Sequence, residues 1–143
     1  MKLHIVTIGK PKLAYAAAGW EEYLGRLQRL HTVRVTQLGD KYANDAAKLK
    51  EVTAGTYTVA LEIEGTNFSS PNLAEFLKTR ELEAREVSFI IGGPDGLPAE
   101  TRGSADFRWS LGGLTLPHDL AMVVTLEALY RASTINAGLP YHR

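Results

Sequence analysis

Residues Tyr141, His142 and Arg143 bring together three side chains with different chemistry at the end of the sequence. A phenol ring stacks on a nucleobase, an imidazole moves a proton near neutral pH, and a guanidinium binds a phosphate. A terminal segment is more often a frayed tail, and composition alone favours that interpretation. The triplet is therefore a candidate site for contact with a nucleotide, and it needs other elements to hold it.

A glutamate and an arginine, Glu127 and Arg131, stand four residues apart in a segment with helical character. An exposed pair at this spacing stabilises a helix by only about 0.2–0.5 kcal/mol, whereas a buried pair fixes the guanidinium in one orientation. The run from Leu120 to Leu129 is apolar on nearly every side. Such a helix needs a covering surface, and a second copy of the chain is the economical candidate.

Two glycine pairs follow predicted strands, in FIIGGPDGLP at 89–98 and in WSLGGLTLPHD at 109–119. Without a Cβ, backbone at these points can approach a ligand closely. Neither segment matches GxGxxG or a P-loop, and either one alone is also explained as a tight turn. Two such loops at adjacent strand ends predict a slot lined by backbone groups, suited to an adenine edge and a ribose.

Strands and helices alternate along the whole chain, which predicts one α/β domain over residues 1–143. The pattern predicts strands at 3–8, 31–38, 56–65, 87–93 and 106–112, and helices at 13–27, 41–52, 70–77, 98–102 and 117–137, with Ser70 as the cap of the third helix. This order favours a mostly parallel sheet with helices on both faces. Ligands bind beyond the carboxyl ends of such strands, so the loops after Leu61–Ile63, from Gly92 and from Gly112 are expected at one edge.

The composition narrows the class of protein. The 143 residues are 45% hydrophobic and 22% charged, with 16 basic and 16 acidic side chains and no cysteine. A zero net charge does not favour broad electrostatic binding of nucleic acid, and the lack of cysteine excludes disulfides and thiolate zinc sites. No signal peptide or membrane span is visible, so a cytoplasmic protein is expected.

Four motifs, in order, resemble the bacterial ribosomal RNA large subunit methyltransferase H family, a small member of the SPOUT class. The motifs are IIGGPDGL at 90–97, WSLGGLTLPHDL at 109–120, EALYRA at 127–132 and LPYHR at 139–143. The likeness begins with MKLHIVTIGK at residues 1–10 and is most specific from Val87 to Arg143.

The resemblance implies a single-domain α/β knot with a trefoil-knotted C-terminal half, and a homodimer. It also implies methyl transfer from S-adenosylmethionine to N3 of a pseudouridine in helix 69 of 23S rRNA, on assembled ribosomes. The sulfonium methyl group is already activated, so no metal is expected. The positions that match the family's cofactor cleft are Leu61, Gly93, Gly112, Gly113, Leu114, Thr115, Leu116 and Pro117.

Given this expected reaction, roles follow for the residues that would contact the pseudouridine and its phosphate. Arg131 and Arg143 would stabilise the anionic ring and contact phosphate, and Tyr141 would stack on or hydrogen-bond to the base. His142 and His118 are the possible proton acceptors, although His118 fits a structural role in the first turn of a helix equally well. His4 and His31 lie on predicted strands and are expected to be incidental. The tail is expected to complete the site across the dimer interface.

Some residues depart from the family pattern. Met122 stands where many members have arginine, and Ala128 replaces a glutamine. Three alternatives stay open: a non-catalytic nucleotide-binding module, a ribosome-associated dimer without activity, and methylation of a different RNA.

Overall fold

The computed structural model describes residues 1–143 and contains one five-stranded sheet in the order β2-β1-β4-β3-β5. The elements are β1 (Lys2–Ile8), α1 (Ala14–Leu30), β2 (Thr32–Leu38), a 3-10 turn (Asp40–Tyr42), α2 (Ala46–Val52), β3 (Tyr57–Asn67), α3 (Ser70–Leu82), β4 (Val87–Ile91), α4 (Ala99–Ser104), β5 (Phe107–Ser110) and α5 (His118–Ala137). Every strand pairing is parallel. The predicted α/β architecture is confirmed.

Helices cover both faces of the sheet. Alternate residues of the central strands point in opposite directions, so each strand contributes side chains to a core on either face. In β1, Leu3 and Ile5 belong to a large core cluster with residues of α1, α3 and α5. Val6 and Ile8 belong to a smaller cluster that includes Leu49 of α2. All five residues of β4 are buried, as expected for a strand covered on both sides.

Helix α5 is attached to the carboxyl end of β1 at its first turn. The Asp119 carboxylate accepts hydrogen bonds from the backbone N–H groups of Lys12 and Leu13, at 2.9 and 2.7 Å. Leu13 is the N-cap of α1 and has no capping side chain of its own, so Asp119 satisfies the amides that open α1. His118 Nε2 donates to the Ile8 carbonyl oxygen at 2.9 Å. The start of α5 is therefore fixed at the edge of the sheet where ligands are expected.

The third strand differs from its prediction. Strand β3 does not end in a loop after Leu61–Ile63 but continues to Asn67. Leu61 and Thr66 both pair with Trp109 of β5, so residues 62–65 form a bulge between them. A Cβ at Gly65 would lie 2.7 Å from the Arg108 carbonyl carbon, which explains glycine there. The predicted N-cap of α3, Ser70, is also wrong by one residue. The Ser69 hydroxyl accepts the hydrogen bond from the Asn72 amide.

No helix combines the length and the hydropathy that a membrane crossing requires. The knotted path of the chain through its C-terminal half stays a prediction.

His31 links the start of the chain to α5, and the burial of its imidazole leads us to expect that the stability of the fold depends on pH. Its Nε2 lies 2.7 Å from Ser133 Oγ, and its Nδ1 lies 3.4 Å from the Met1 nitrogen. Burial, and secondarily the Met1 ammonium, lower the pKa of His31 to about 4. The unfolded chain therefore binds a proton that the folded chain rejects as pH falls through about 6.5.

We expect the free energy of unfolding to fall by about 2 kcal/mol between pH 6.5 and pH 4, after allowing for solvent screening. Urea unfolding at several pH values measures this. His31→Gln should flatten the slope without abolishing it, because burial also lowers the pKa of His4. An equal slope in wild type and variant would show that His31 is not responsible.

Candidate active site

A cavity of about 420 Å³ lies at the carboxyl edge of the sheet, bounded by the β3 bulge, the β4–α4 loop and the β5–α5 loop. These are the three segments that the sequence places at one edge. The predicted cofactor residues that line the cavity are Leu61, Gly93, Gly112, Leu114, Thr115 and Leu116. Gly113 and Pro117 belong to the same β5–α5 loop but do not line the cavity.

The glycines of the β4–α4 loop have different roles. A Cβ at Gly92 would lie 2.7 Å from the carbonyl carbon of Gly96, so Gly92 is required by the turn itself. Gly96 has a φ of 82°, in the left-handed region that favours glycine. A Cβ at Gly93 would meet only Ile8, at 3.5 Å, which is an ordinary contact. The turn thus explains Gly92 and Gly96, whereas no contact within the protein requires glycine at Gly93, whose place in a ligand slot stays a prediction.

The β5–α5 loop folds back on the end of β5. Ser110 Oγ accepts from the Gly112 amide at 3.2 Å and donates to the Gly112 carbonyl at 3.1 Å. Gly112 has a φ of 135°, which L side chains rarely adopt. Beyond it, Leu114 is 83% exposed at the rim of the cavity. An exposed leucine beside a concave wall of backbone groups is suited to cover the flat face of a bound ring.

Two charged residues of the cavity wall were missed by the sequence analysis. Glu62 has a side chain only 3% exposed, and its Oε1 lies 3.5 Å from Arg102 Nη1. Its other oxygen, Oε2, is buried and has no hydrogen-bond partner. The one sequence signal was a carboxylate directly after the apolar run Val59–Leu61, near the carboxyl end of a predicted parallel strand, where ligands bind.

His118 makes the structural hydrogen bond that the sequence left open, and it also lines the cavity, while its role as a proton acceptor stays a prediction. The Ile8 carbonyl can only accept, so His118 Nε2 carries the proton of the neutral ring. The lone pair of a neutral His118 is therefore on Nδ1, and the residue lines the cavity. Its imidazole is oriented by β1 and can accept a proton inside the site.

A second cluster holds Tyr141 near the far end of α5, so the tail is not frayed at this residue. The Tyr141 hydroxyl donates to Glu127 Oε1 at 3.1 Å and lies 3.2 Å from the Tyr23 hydroxyl. Its ring makes an edge contact with Tyr130, with ring centroids 4.8 Å apart. Burial, and then the hydrogen bonds to Tyr23 and Glu127, raise the pKa of Tyr141. The phenol therefore stays protonated at neutral pH.

Glu127 also orients Arg131. Its Oε1 accepts from Arg131 Nε at 2.9 Å and from Nη2 at 2.8 Å. The guanidinium lies 4.8 Å from the centre of the Tyr141 ring, and Nη1 lies 3.3 Å from His142 Nδ1. A guanidinium only donates, so the lone pair of a neutral His142 is engaged with Arg131. Arg143 follows His142 in the chain and is exposed.

The two clusters are separated along α5. Arg131 lies 13 positions after His118, which corresponds to a rise of about 20 Å along the helix. No member of the tail cluster lines the cavity. The structure therefore brings the predicted cofactor residues together with His118, and the predicted acceptor residues together with one another, but it does not join the two groups within one protomer.

No group of three or more His, Asp and Glu side chains is arranged to hold a metal ion.

Comparison with known proteins is consistent with this geometry. A family profile described as "Predicted SPOUT methyltransferase" matches residues 1–142. The chain is 50% identical over 145 residues to a Deinococcus deserti protein named Ribosomal RNA large subunit methyltransferase H, covering 100% of both chains. It is 50% identical to the protein of that name from Deinococcus radiodurans, covering 100% of this chain and 99% of the relative. With the Acinetobacter baylyi protein of that name it shares 35% identity over 158 residues, with the same coverage.

Among solved structures, the chain is similar to a probable methylase family protein from Haemophilus influenzae, with a TM-score of 0.61 and 12% identity. The match covers 95% of this chain and 68% of that chain. At this identity the likeness supports the fold alone.

Proposed function

The chain belongs to the SPOUT methyltransferase family, and from that premise we propose that it transfers a methyl group from S-adenosylmethionine to large-subunit ribosomal RNA. The relatives at 50% and 35% identity carry the name Ribosomal RNA large subunit methyltransferase H over their full length. We further propose N3 of a pseudouridine in helix 69 of 23S rRNA as the acceptor, on assembled ribosomes in the cytoplasm.

The cavity fits the proposed methyl donor. Its wall combines backbone from two glycine-containing loops with apolar side chains such as Leu61, Leu114 and Leu116. Backbone N–H and C=O groups recognise an adenine edge, and the leucines cover its faces. A volume of about 420 Å³ lies within the range of small-molecule sites. The buried and unpartnered Glu62 Oε2 is a further sign that a ligand donor belongs in this wall.

The separation along α5 carries the proposal of a homodimer with shared active sites. Methyl transfer requires the donor carbon and the acceptor nitrogen to meet, whereas about 20 Å of helix lie between His118 and Arg131. A two-fold axis near the middle of α5 would place the tail of one copy beside the cavity of the other. Leu120, Val124 and Ala128 follow one another at i, i+4 spacing and are half-buried, so they form the stripe for that contact.

Different residues of the chain then serve different parts of the methyl transfer. When bound, the donor supplies a methyl carbon whose bond to sulfur breaks as its bond to N3 forms, leaving a neutral thioether. Arg131, already oriented by Glu127, stabilises the negative charge that develops on the ring. His118 Nδ1 accepts the N3 proton, because its lone pair is free whereas that of His142 is engaged. Tyr141, which stays protonated, stacks on the ring or donates a hydrogen bond to it.

Two measurements test this function. Calorimetry should show binding of S-adenosylmethionine in preference to ATP or NAD. Ribosomes from a strain that lacks the modification should then accept radiolabelled methyl groups at one nucleotide, which mass spectrometry of the digested RNA identifies. Binding without transfer would favour an inactive ribosome-associated module, and label at another nucleotide would redirect the substrate assignment.

A further inference from the structure

Glu62 presents a buried carboxylate that the protein itself does not satisfy. The residue is 8% exposed, and Oε2 has no hydrogen-bond partner. Its Oε1 meets Arg102 only at 3.5 Å, the outer limit of a hydrogen bond. A buried charged oxygen without a donor is costly, so such atoms are rare in folded proteins and mark a missing partner.

The β3 bulge places this carboxylate in the cavity wall. The bulge is fixed on both sides, because Leu61 and Thr66 each pair with Trp109. Gly65 packs directly on the Arg108 backbone. Within the bulge Ile63 is 79% exposed whereas Glu62 is buried. Both residues line the cavity, and burial of the acid beside an exposed apolar side chain is the reverse of what hydrophobic burial favours. A ligand in the cavity would explain this arrangement.

We propose that Glu62 accepts hydrogen bonds from the ribose hydroxyls of the methyl donor, which makes it a cofactor-specificity residue of the site. The inference rests on the proposed function. A vicinal diol offers two neutral O–H donors, and acidic side chains bind ribose hydroxyls in this way in dinucleotide-binding folds.

The position of Arg102 indicates which group of the methyl donor lies against Glu62, the neutral diol or one of the cationic groups. Its guanidinium lies beside Glu62, and its side chain is 40% exposed at the cavity. An ammonium or sulfonium placed against Glu62 would also lie against this guanidinium and be repelled. Neutral hydroxyl donors meet no such repulsion. Arg102 holds Oε1, and Oε2 is left for the ligand.

Calorimetry with S-adenosylhomocysteine and its 2′,3′-dideoxy analogue tests the inference without requiring catalysis. Glu62→Ala should raise the Kd for the parent about 10- to 100-fold, as expected for hydrogen bonds to a charged group. For the wild type, the Kd for the dideoxy analogue should exceed the Kd for the parent by a similar factor. In the variant, parent and analogue should bind within about threefold of each other, because the two changes remove the same contact.

Glu64→Ala is the matched control, since Glu64 lies two residues away in the same bulge but is exposed and does not line the cavity. It should leave both Kd values within about twofold of wild type. Glu62→Gln retains the side-chain shape and guards against misfolding of the alanine variant; it should lose about tenfold for the parent.

Three results would overturn the inference. Unchanged affinity in folded Glu62→Ala and Glu62→Gln would remove Glu62 from the site. Equal losses for parent and analogue would show that it shapes the wall without contacting the diol. If the wild type bound neither ligand, the proposed function would fall and this inference with it, whereas the first two results leave that function intact.

Discussion

Replacement of both His142 and Arg143 by alanine is expected to slow methyl transfer to ribosomes about a thousandfold and to leave the Kd for S-adenosylmethionine unchanged. Loss of a cation that stabilises a developing anion costs about 10² to 10³ in rate, and loss of phosphate contacts weakens substrate positioning as well. The donor's affinity is unaffected because neither residue lines the cavity.

Folding should be unaffected, because both side chains are exposed and the Tyr141 anchor is retained. Lys78→Ala is the matched control, since it removes an exposed positive charge on α3 at a residue that does not line the cavity. It should keep transfer within about twofold of wild type. Single-turnover rates on purified ribosomes, with calorimetry of the donor, measure both quantities. Full activity in the double variant would show that the tail is not part of the acceptor site.

The regular part of the fold is accessible from the sequence because its signals are local. The run Val87–Ile91, apolar except for Ser88, predicts a doubly covered central strand, and Gly138 marks the end of α5, where it adopts a φ of 69°. The two glycine loops are likewise visible, and the parallel order of strands brings them to one edge.

The irregular features depend on tertiary contacts that no local pattern encodes. Nothing in the residues around Gly65 says that β5 will approach within contact of its backbone, so the bulge was taken for the end of a strand. The orphaned Glu62 oxygen follows from that bulge and was missed with it. Conversely, the sequence made Tyr141 a candidate but gave no reason for it to be held, and Glu127 and Tyr23 supply that reason.

Met122 shows how a departure from the family pattern can be absorbed. The position is fully buried in the large core cluster, against α1 and α3. A methionine there adds apolar packing and leaves no charge to be satisfied. Ala128, by contrast, is half-buried in the stripe proposed for the dimer contact. In the proposed dimer, a smaller side chain at that point would permit closer approach of the two α5 helices.

A mixed dimer provides the most decisive test of the shared active site. One subunit carries the His142→Ala and Arg143→Ala changes, and the other carries Thr115→Trp, which is intended to fill the cavity and is first shown by calorimetry to abolish donor binding. Each parent homodimer should be inactive. If sites form across the interface, a heterodimer contains one site with an intact cavity and an intact tail, and one site with neither.

Random mixing of equal amounts gives about half heterodimers, each with one of two sites active, so about a quarter of wild-type activity is expected. Heterodimers isolated through two affinity tags should reach about half. If each site formed within one protomer, every subunit would carry a defect and both preparations would be inactive. The outcome therefore depends on geometry, because about 20 Å of α5 separate His118 from Arg131 in one chain, and in the proposed dimer the Arg131 beside each cavity belongs to the other chain.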